Sequence, residues 1–232
     1  MYPEDSIQWL VSSWLIKDDD KKVCRGRILW SCVPHIDQQP MQLVPEGRTD
    51  PTDHTRASYR VEPFRIMNPP KLPTLPVAAL PHFESERRLV YRAKRRPVLV
   101  VSTCGEDIGM DLRVGGVKWQ TAPTFLVAPY YGVMQDEKRA GWQPELVKRI
   151  RRCEYPQYLW DKLPIPGSTE SILRLDHIQP IGKHHNAYEW TPYHLSEEAI
   201  DILDEWILWL LTGRLKKDGI LSDIRQELLR LD

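Results

Sequence analysis

The stretch LRLDHIQPI, Leu173 to Ile181, places an arginine and an aspartate two residues apart in an otherwise largely apolar run. In a β-strand, residues i and i+2 face the same side and their neighbours face the other. Read as a strand, the run sends Leu173 and Leu175 into a core and leaves Arg174 and Asp176 together on the exposed side. Two residues of strand span about 6.6 Å, a gap suited to flanking a phosphodiester. The same pattern also describes an ordinary solvated ion pair, which adds little to stability. His177 falls on the core-facing phase, where it reads either as a satisfied, semi-buried histidine or as a catalytic one.

Other strands surround this one in sequence. RGRILWSCVP, Arg25 to Pro34, is opened by Gly26 and stopped by Pro34. RRPVLVVS, Arg95 to Ser102, carries the buried-strand run Val98-Leu99-Val100-Val101. TFLVAPYYGV, Thr124 to Val133, is a second apolar run. Between these two, GEDIGMDLRVGGVKW is turn-rich and leaves room for one hairpin. Helices are expected at both ends and once between. Ser6 is placed to cap a helix with Ile7, Leu10, Val11, Trp14 and Leu15 as its apolar stripe. Pro144 is suited to the first position of the short helix ELVKRIRRC. Ser196 and Gly213 bracket SEEAIDILDEWILWLLT, and a last short helix is expected from Ser222 to Leu231.

The segment from His35 to about Leu80 is rich in proline (QQPM, LVPEGRTDPTD, NPPKLPTLP), a composition against a long helix or a central strand. A short strand within Ala57–Ile66 is the one element expected there. So long a loop reads as an insertion, and the basic run beyond it extends the insertion to 35–93. The organisation predicted is an N-terminal helical extension at 1–23, a domain at 24–212 interrupted at 35–93, and a C-terminal helical extension at 213–232. The fold class is α+β and mainly β, a small barrel with peripheral helices.

Composition narrows the classes. A hydrophobic share of 41% with nine tryptophans suffices for a core, and 32 basic against 32 acidic residues give a net charge of zero. No apolar run approaches the roughly 18 residues a membrane helix needs. MYPEDSIQWL lacks the basic start of a secretory signal. Cys24, Cys32, Cys104 and Cys153 are scattered without CxxC spacing and read as reduced thiols. Together these features point to a cytoplasmic protein with no membrane partner.

Charge is unevenly distributed despite the zero balance. RRLVYRAKRRP holds Arg87, Arg88, Arg92, Lys94, Arg95 and Arg96 without an acid, and Tyr91 is interleaved. Such a run can follow a phosphate backbone, or it can be a solvated loop entering a strand. His184, His185 and His194 lack the spacing of a closed zinc site. Phosphate-binding glycine loops and the GxSxG and HExxH motifs are absent from the sequence.

The order of segments, G-x-I-L-W at Gly26–Trp30, KRRPVLVVS at Lys94–Ser102, FLVAP at Phe125–Pro129, then ES-ILRLDHIQPI at Glu170–Ile181 and a terminal amphipathic helix, resembles the MazF/PemK/Kid family of type II toxin–antitoxin toxins. The resemblance covers roughly Cys24–Pro34 and Lys94–Thr212. It implies an SH3-like barrel of the CcdB/MazF type with a C-terminal helix. It also implies cleavage of single-stranded RNA without metal or cofactor, leaving 2′,3′-cyclic phosphate and 5′-hydroxyl ends. An antitoxin protein and a homodimer are the partners implied, and growth inhibition the outcome. Arg174 and Asp176 match the catalytic pair, and Arg96 matches the arginine that holds the scissile phosphate. Arg92, Lys94, Arg95, Ser102, Tyr131 and His177 are the expected RNA contacts. Two departures bear on activity. Tyr131 stands where family members carry serine or threonine, and the 35–93 insertion enters the loop that borders the RNA groove in the family. A non-catalytic module on the same barrel, binding a protein or nucleic acid, is the alternative.

Overall fold

The computed structural model describes residues 2–48, 50, 52–53, 56–67, 86–116, 118–134, 141–166 and 170–231. The proline run NPPKLPTLP lies outside the described residues. The chain divides into two compact units, Met1–Cys32 with Arg95–Asp232, and Val33–Lys94.

The N-terminus departs from the expected helix. Only Ile7–Leu10 is helical (α1), and the Ser6 hydroxyl donates to the Pro3 carbonyl rather than capping it. Leu15–Lys17 is instead a strand, β1. The stripe Ile7, Val11 and Trp14 is buried all the same, because burial of apolar surface does not require one continuous helix. β2, Arg27–Pro34, follows as expected.

The second unit holds a three-stranded antiparallel sheet of β3 (Met41–Gly47), β4 (Ser58–Pro63) and β5 (Leu89–Val90), with β3 in the middle. This corrects the expectation that the proline-rich segment excludes a central strand. Leu43 N–H donates to Arg88 O, so by alternation Pro45 would direct its absent N–H to the same side. There β5 has already ended, and the proline interrupts no ladder.

In the first unit, β6 (Ala93–Ser102, entering from the second unit) and β7 (Thr124–Gly132) form the centre of an antiparallel sheet. The turn-rich segment between them contains two 3-10 turns, Met110–Arg113 and Lys118–Thr121, and no hairpin among the described residues. α2 (Pro144–Arg151) starts with its proline at the first turn, as predicted. β8 (Tyr158–Asp161), β9 (Ser171–Arg174), β10 (Gln179–Gly182) and β11 (Tyr188–Leu195) complete the sheet, in the order β1-β11-β2-β6-β7-β9-β8 with β10 also on β7. The result is a curled, half-barrel antiparallel sheet in an α+β fold.

α3 (Glu197–Thr212) and α4 (Ile220–Leu228) pack against the sheet. The Ser196 hydroxyl accepts from Ala199 N–H, and Gly213 at φ 68° ends α3 with its N–H on Trp209 O. Ile202, Leu203 and Trp206 are fully buried against Ile28, Leu99 and Leu173 in one cluster. Trp206 and Trp209 therefore serve the chain's own core. No helix among the described residues is long and apolar enough to cross a membrane.

Candidate functional site

LRLDHIQPI is two strands, not one. β9 pairs with β7 through Leu173↔Tyr130, and β10 resumes on the same edge at Gln179↔Val127. The residues Arg174 to Ile178 therefore stand opposite Ala128 and Pro129 alone. Leu175–His177 take up the surplus as a 3-10 turn. Pro129 supplies the physical reason. Val133 N–H donates to Glu170 O, so the odd-numbered amides of β7 face this edge, and residue 129 has none to give. The partner strand bulges where the ladder loses its donor.

The bulge keeps the burial that strand alternation assigned and brings His177 onto Arg174. Arg174 is half-buried and Asp176 exposed, while Leu175 and His177 are buried. Arg174 donates through Nε to Asp176 Oδ1 at 2.7 Å and through Nη2 to Asp176 Oδ2 at 2.6 Å, a bidentate pair. Nη2 also meets His177 Nε2 at 2.7 Å. Arginine carries only donors, so Nε2 is the acceptor and the imidazole proton sits on Nδ1. That N–H donates to Tyr131 Oη at 3.1 Å. Arg174 Nη1 makes no hydrogen bond among the described residues.

Arg96 closes the cluster from β6. It is 8% exposed, and its guanidinium carbon lies 4.1 Å from the Tyr131 ring centroid. Arg174 lies 5.7 Å from the same ring and 5.1 Å from that of Tyr158. Both guanidinium groups are thus within about 10 Å of each other, inside the range of screened charge interaction. Two guanidinium groups and one carboxylate are gathered around the Tyr131 ring and His177. Burial pulls the Arg174 pKa down, but hydrogen bonding to Asp176 and its charge, followed by Tyr158 and Tyr131, outweigh it and raise the value above the ordinary one. Arg174 is accordingly a fixed cation.

Arg96, Tyr131, Arg174, Asp176 and His177 come together from three separate segments. The other expected contacts do not join them in the first unit's cluster. Arg95 is exposed, ion-paired with Glu189 and stacked 4.3 Å over Trp30. Ser102 lies six strand residues from Arg96, about 20 Å away, where its hydroxyl accepts from Cys104 N–H. Arg92 and Lys94 are exposed residues of the second unit. Sequence reasoning missed Tyr158, which stands opposite Arg174 in the β8–β9 ladder, and Gln179, which is buried and donates to His177 O at 3.4 Å. Neither residue belongs to a motif that marks it.

Such an arrangement can hold an oxyanion between two guanidinium groups, beside a carboxylate and a phenol in contact with a neutral histidine. Fold and site together define an α+β protein with two arginines, a tyrosine, an aspartate and a histidine gathered across β6, β7 and the β9–β10 bulge. No family model, curated protein or solved structure matches the chain.

Proposed function

We propose that this chain is a MazF/PemK/Kid-like toxin on an SH3-like barrel, an endoribonuclease that cleaves single-stranded RNA by 2′-hydroxyl attack. The observation that supports it is the convergence of Arg96, Tyr131, Arg174, Asp176 and His177 at the β7–β9 edge. In this reading Arg96 and Arg174 Nη1 bind the scissile phosphate and stabilise the charge that grows on it. Asp176 takes the proton from the 2′-hydroxyl, whose oxygen bonds to phosphorus. The P–O5′ bond breaks and leaves a 2′,3′-cyclic phosphate. The leaving O5′ takes its proton from Tyr131, not from Arg174, because the raised pKa of Arg174 makes that guanidinium the poorer donor.

Digestion of a mixed-sequence RNA in EDTA, with end-group analysis, tests the reading. Cyclic phosphate and 5′-hydroxyl ends are expected, with cleavage falling about 100-fold or more in Arg174→Ala and in Asp176→Ala. No cleavage by the wild-type chain, or full activity in both variants, overturns it. A second reading, a non-catalytic module binding nucleic acid or protein, is favoured by one observation. Both Asp176 oxygens are engaged by Arg174, as in a structural pair. It predicts binding without cleavage.

A further inference from the structure

Two neighbouring clefts lie at the opposite end of β6 and β7 from the Arg174 cluster. Phe125 and Tyr131 are six residues apart on β7, about 20 Å. One cleft, of about 560 Å³, is lined by Lys21, Lys22, Arg25, Lys183, Phe125 and Tyr188, among others. The other, of about 760 Å³, is lined by Arg113, Thr121, Thr124, Lys183 and His184, among others. They share Lys183. Five cations from three separate segments of chain thus line one trough.

Several of the acids near these cations are already engaged. Lys183 Nζ meets Asp107 at 3.0 Å, and Arg25 pairs with Asp204. Asp20 caps the Lys22 backbone N–H, and Asp18 is held by Arg27. Lys21 and Lys22 are exposed and form no ion pair among the described residues. Arg113 has a buried Nε with no hydrogen-bond partner. Aromatic surface is interleaved with the charge. Lys183 Nζ stands 5.1 Å from the Phe125 centroid, and Tyr188 meets Phe125 edge-on at 5.6 Å. Cations that repel one another beside an accessible ring are the combination that holds a single nucleic-acid strand, phosphates on the cations and a base on the ring.

We propose that this trough is a second binding site, for the phosphodiester backbone of a single-stranded nucleic acid, with a base against Tyr188. Being about 20 Å from the Arg174 cluster, it does not depend on the cleavage chemistry proposed above. It escaped the sequence reading because its cations are dispersed, whereas the conspicuous basic run at 87–96 is contiguous.

A single-stranded oligodeoxynucleotide separates this site from catalysis, since without a 2′-hydroxyl it cannot be cut by the proposed route. Its affinity is measured over a salt series by fluorescence anisotropy for the full chain and for Lys21→Ala/Lys22→Ala, Lys183→Gln and Tyr188→Leu. The leucine keeps apolar bulk against Phe125, and circular dichroism checks folding. The lysine variants are expected to weaken binding about tenfold and to reduce the slope of log affinity against log salt by about 0.7 for each phosphate no longer neutralised. Tyr188→Leu is expected to weaken binding with the slope unchanged. Wild-type affinity and slope in the folded lysine variants overturn the proposal. So does competition by polyglutamate as strong as by the oligonucleotide together with no effect of Tyr188→Leu, which assigns the trough to an acidic protein.

Discussion

Asp161 yields a prediction that can be worked through in numbers. The last residue of β8, it is fully buried. Oδ2 accepts from Trp14 Nε1–H at 3.1 Å and from Tyr130 Oη–H at 3.3 Å, and Oδ1 accepts from Lys162 N–H at 2.7 Å. Burial raises the carboxyl pKa from 3.8 to about 6, and these three hydrogen bonds only partly oppose it. The sign follows from linkage. Below 3.8 the carboxyl is neutral in both states and burial carries no charge penalty. Between 3.8 and about 6 the unfolded chain releases this proton while the folded one keeps it. Stability is therefore lost as pH rises through the folded value. Roughly two pH units correspond to about 3 kcal/mol, or about 6–12 °C in Tm for a chain of this size. The perturbation is Asp161→Asn, and the assay is urea unfolding at intervals from pH 3.5 to 7.5. Asparagine brings its own cost, because its amide would face the Trp14 or Lys162 donor, but that cost does not vary with pH. The quantity to read is the difference between wild type and variant. It should shift by about 2 kcal/mol in favour of the variant between pH 4 and 7 and level off above. A difference that stays flat over this range refutes the reasoning, as does one that shifts the other way.

Three further outcomes follow from individual contacts. Ser196→Ala removes the acceptor for Ala199 N–H at the start of α3 and should cost about 1 kcal/mol, read as a Tm fall of about 2–4 °C. Gly26 has φ 81°, and a Cβ there would stand 2.6 Å from Ile200 Cδ1. Gly26→Ala should cost about 2 kcal/mol in denaturant unfolding, most of it from the left-handed backbone. Tyr131→Phe keeps the ring under Arg96 but removes the oxygen that accepts from His177 Nδ1–H. Under the proposed mechanism, RNA cleavage should slow about 100-fold or more with KM little changed, whereas Tyr131→Ala should also raise KM by loosening Arg96. Equal rates for wild type and Tyr131→Phe would remove the phenol from the mechanism.

The second unit shows how composition misleads when it is read without partners. Proline discourages a strand because it cannot donate to a ladder, yet Pro45 sits in the middle strand of three without breaking a bond. What matters is the side on which the missing donor falls and whether a strand is paired there. The same residue type has the opposite effect at Pro129. There the missing donor faces the β9–β10 edge and divides what looked like one strand.

Sequence alone determined the elements whose causes are local. Val98–Val101 are a strand because a β-branched run suits burial on both faces. α3 starts at Ser196 and stops at Gly213 because a side-chain oxygen and a left-handed residue satisfy its open ends. Arg174 and Asp176 stood out in the sequence by their spacing in an apolar run, and Arg96 by the family resemblance. Tertiary structure decided what depends on a distant partner. Leu15–Lys17 is a strand because Tyr193–Leu195 offers an edge, although its apolar spacing is helical. Arg174, Asp176 and His177 meet because β7 has no amide at position 129. Asp161 keeps its proton up to about pH 6 because segments distant in sequence bury it, against the opposing hydrogen bonds from Trp14 and Tyr130. Hydrogen-bond availability and desolvation belong to pairs of segments, and a linear sequence records only one member of each pair at a time.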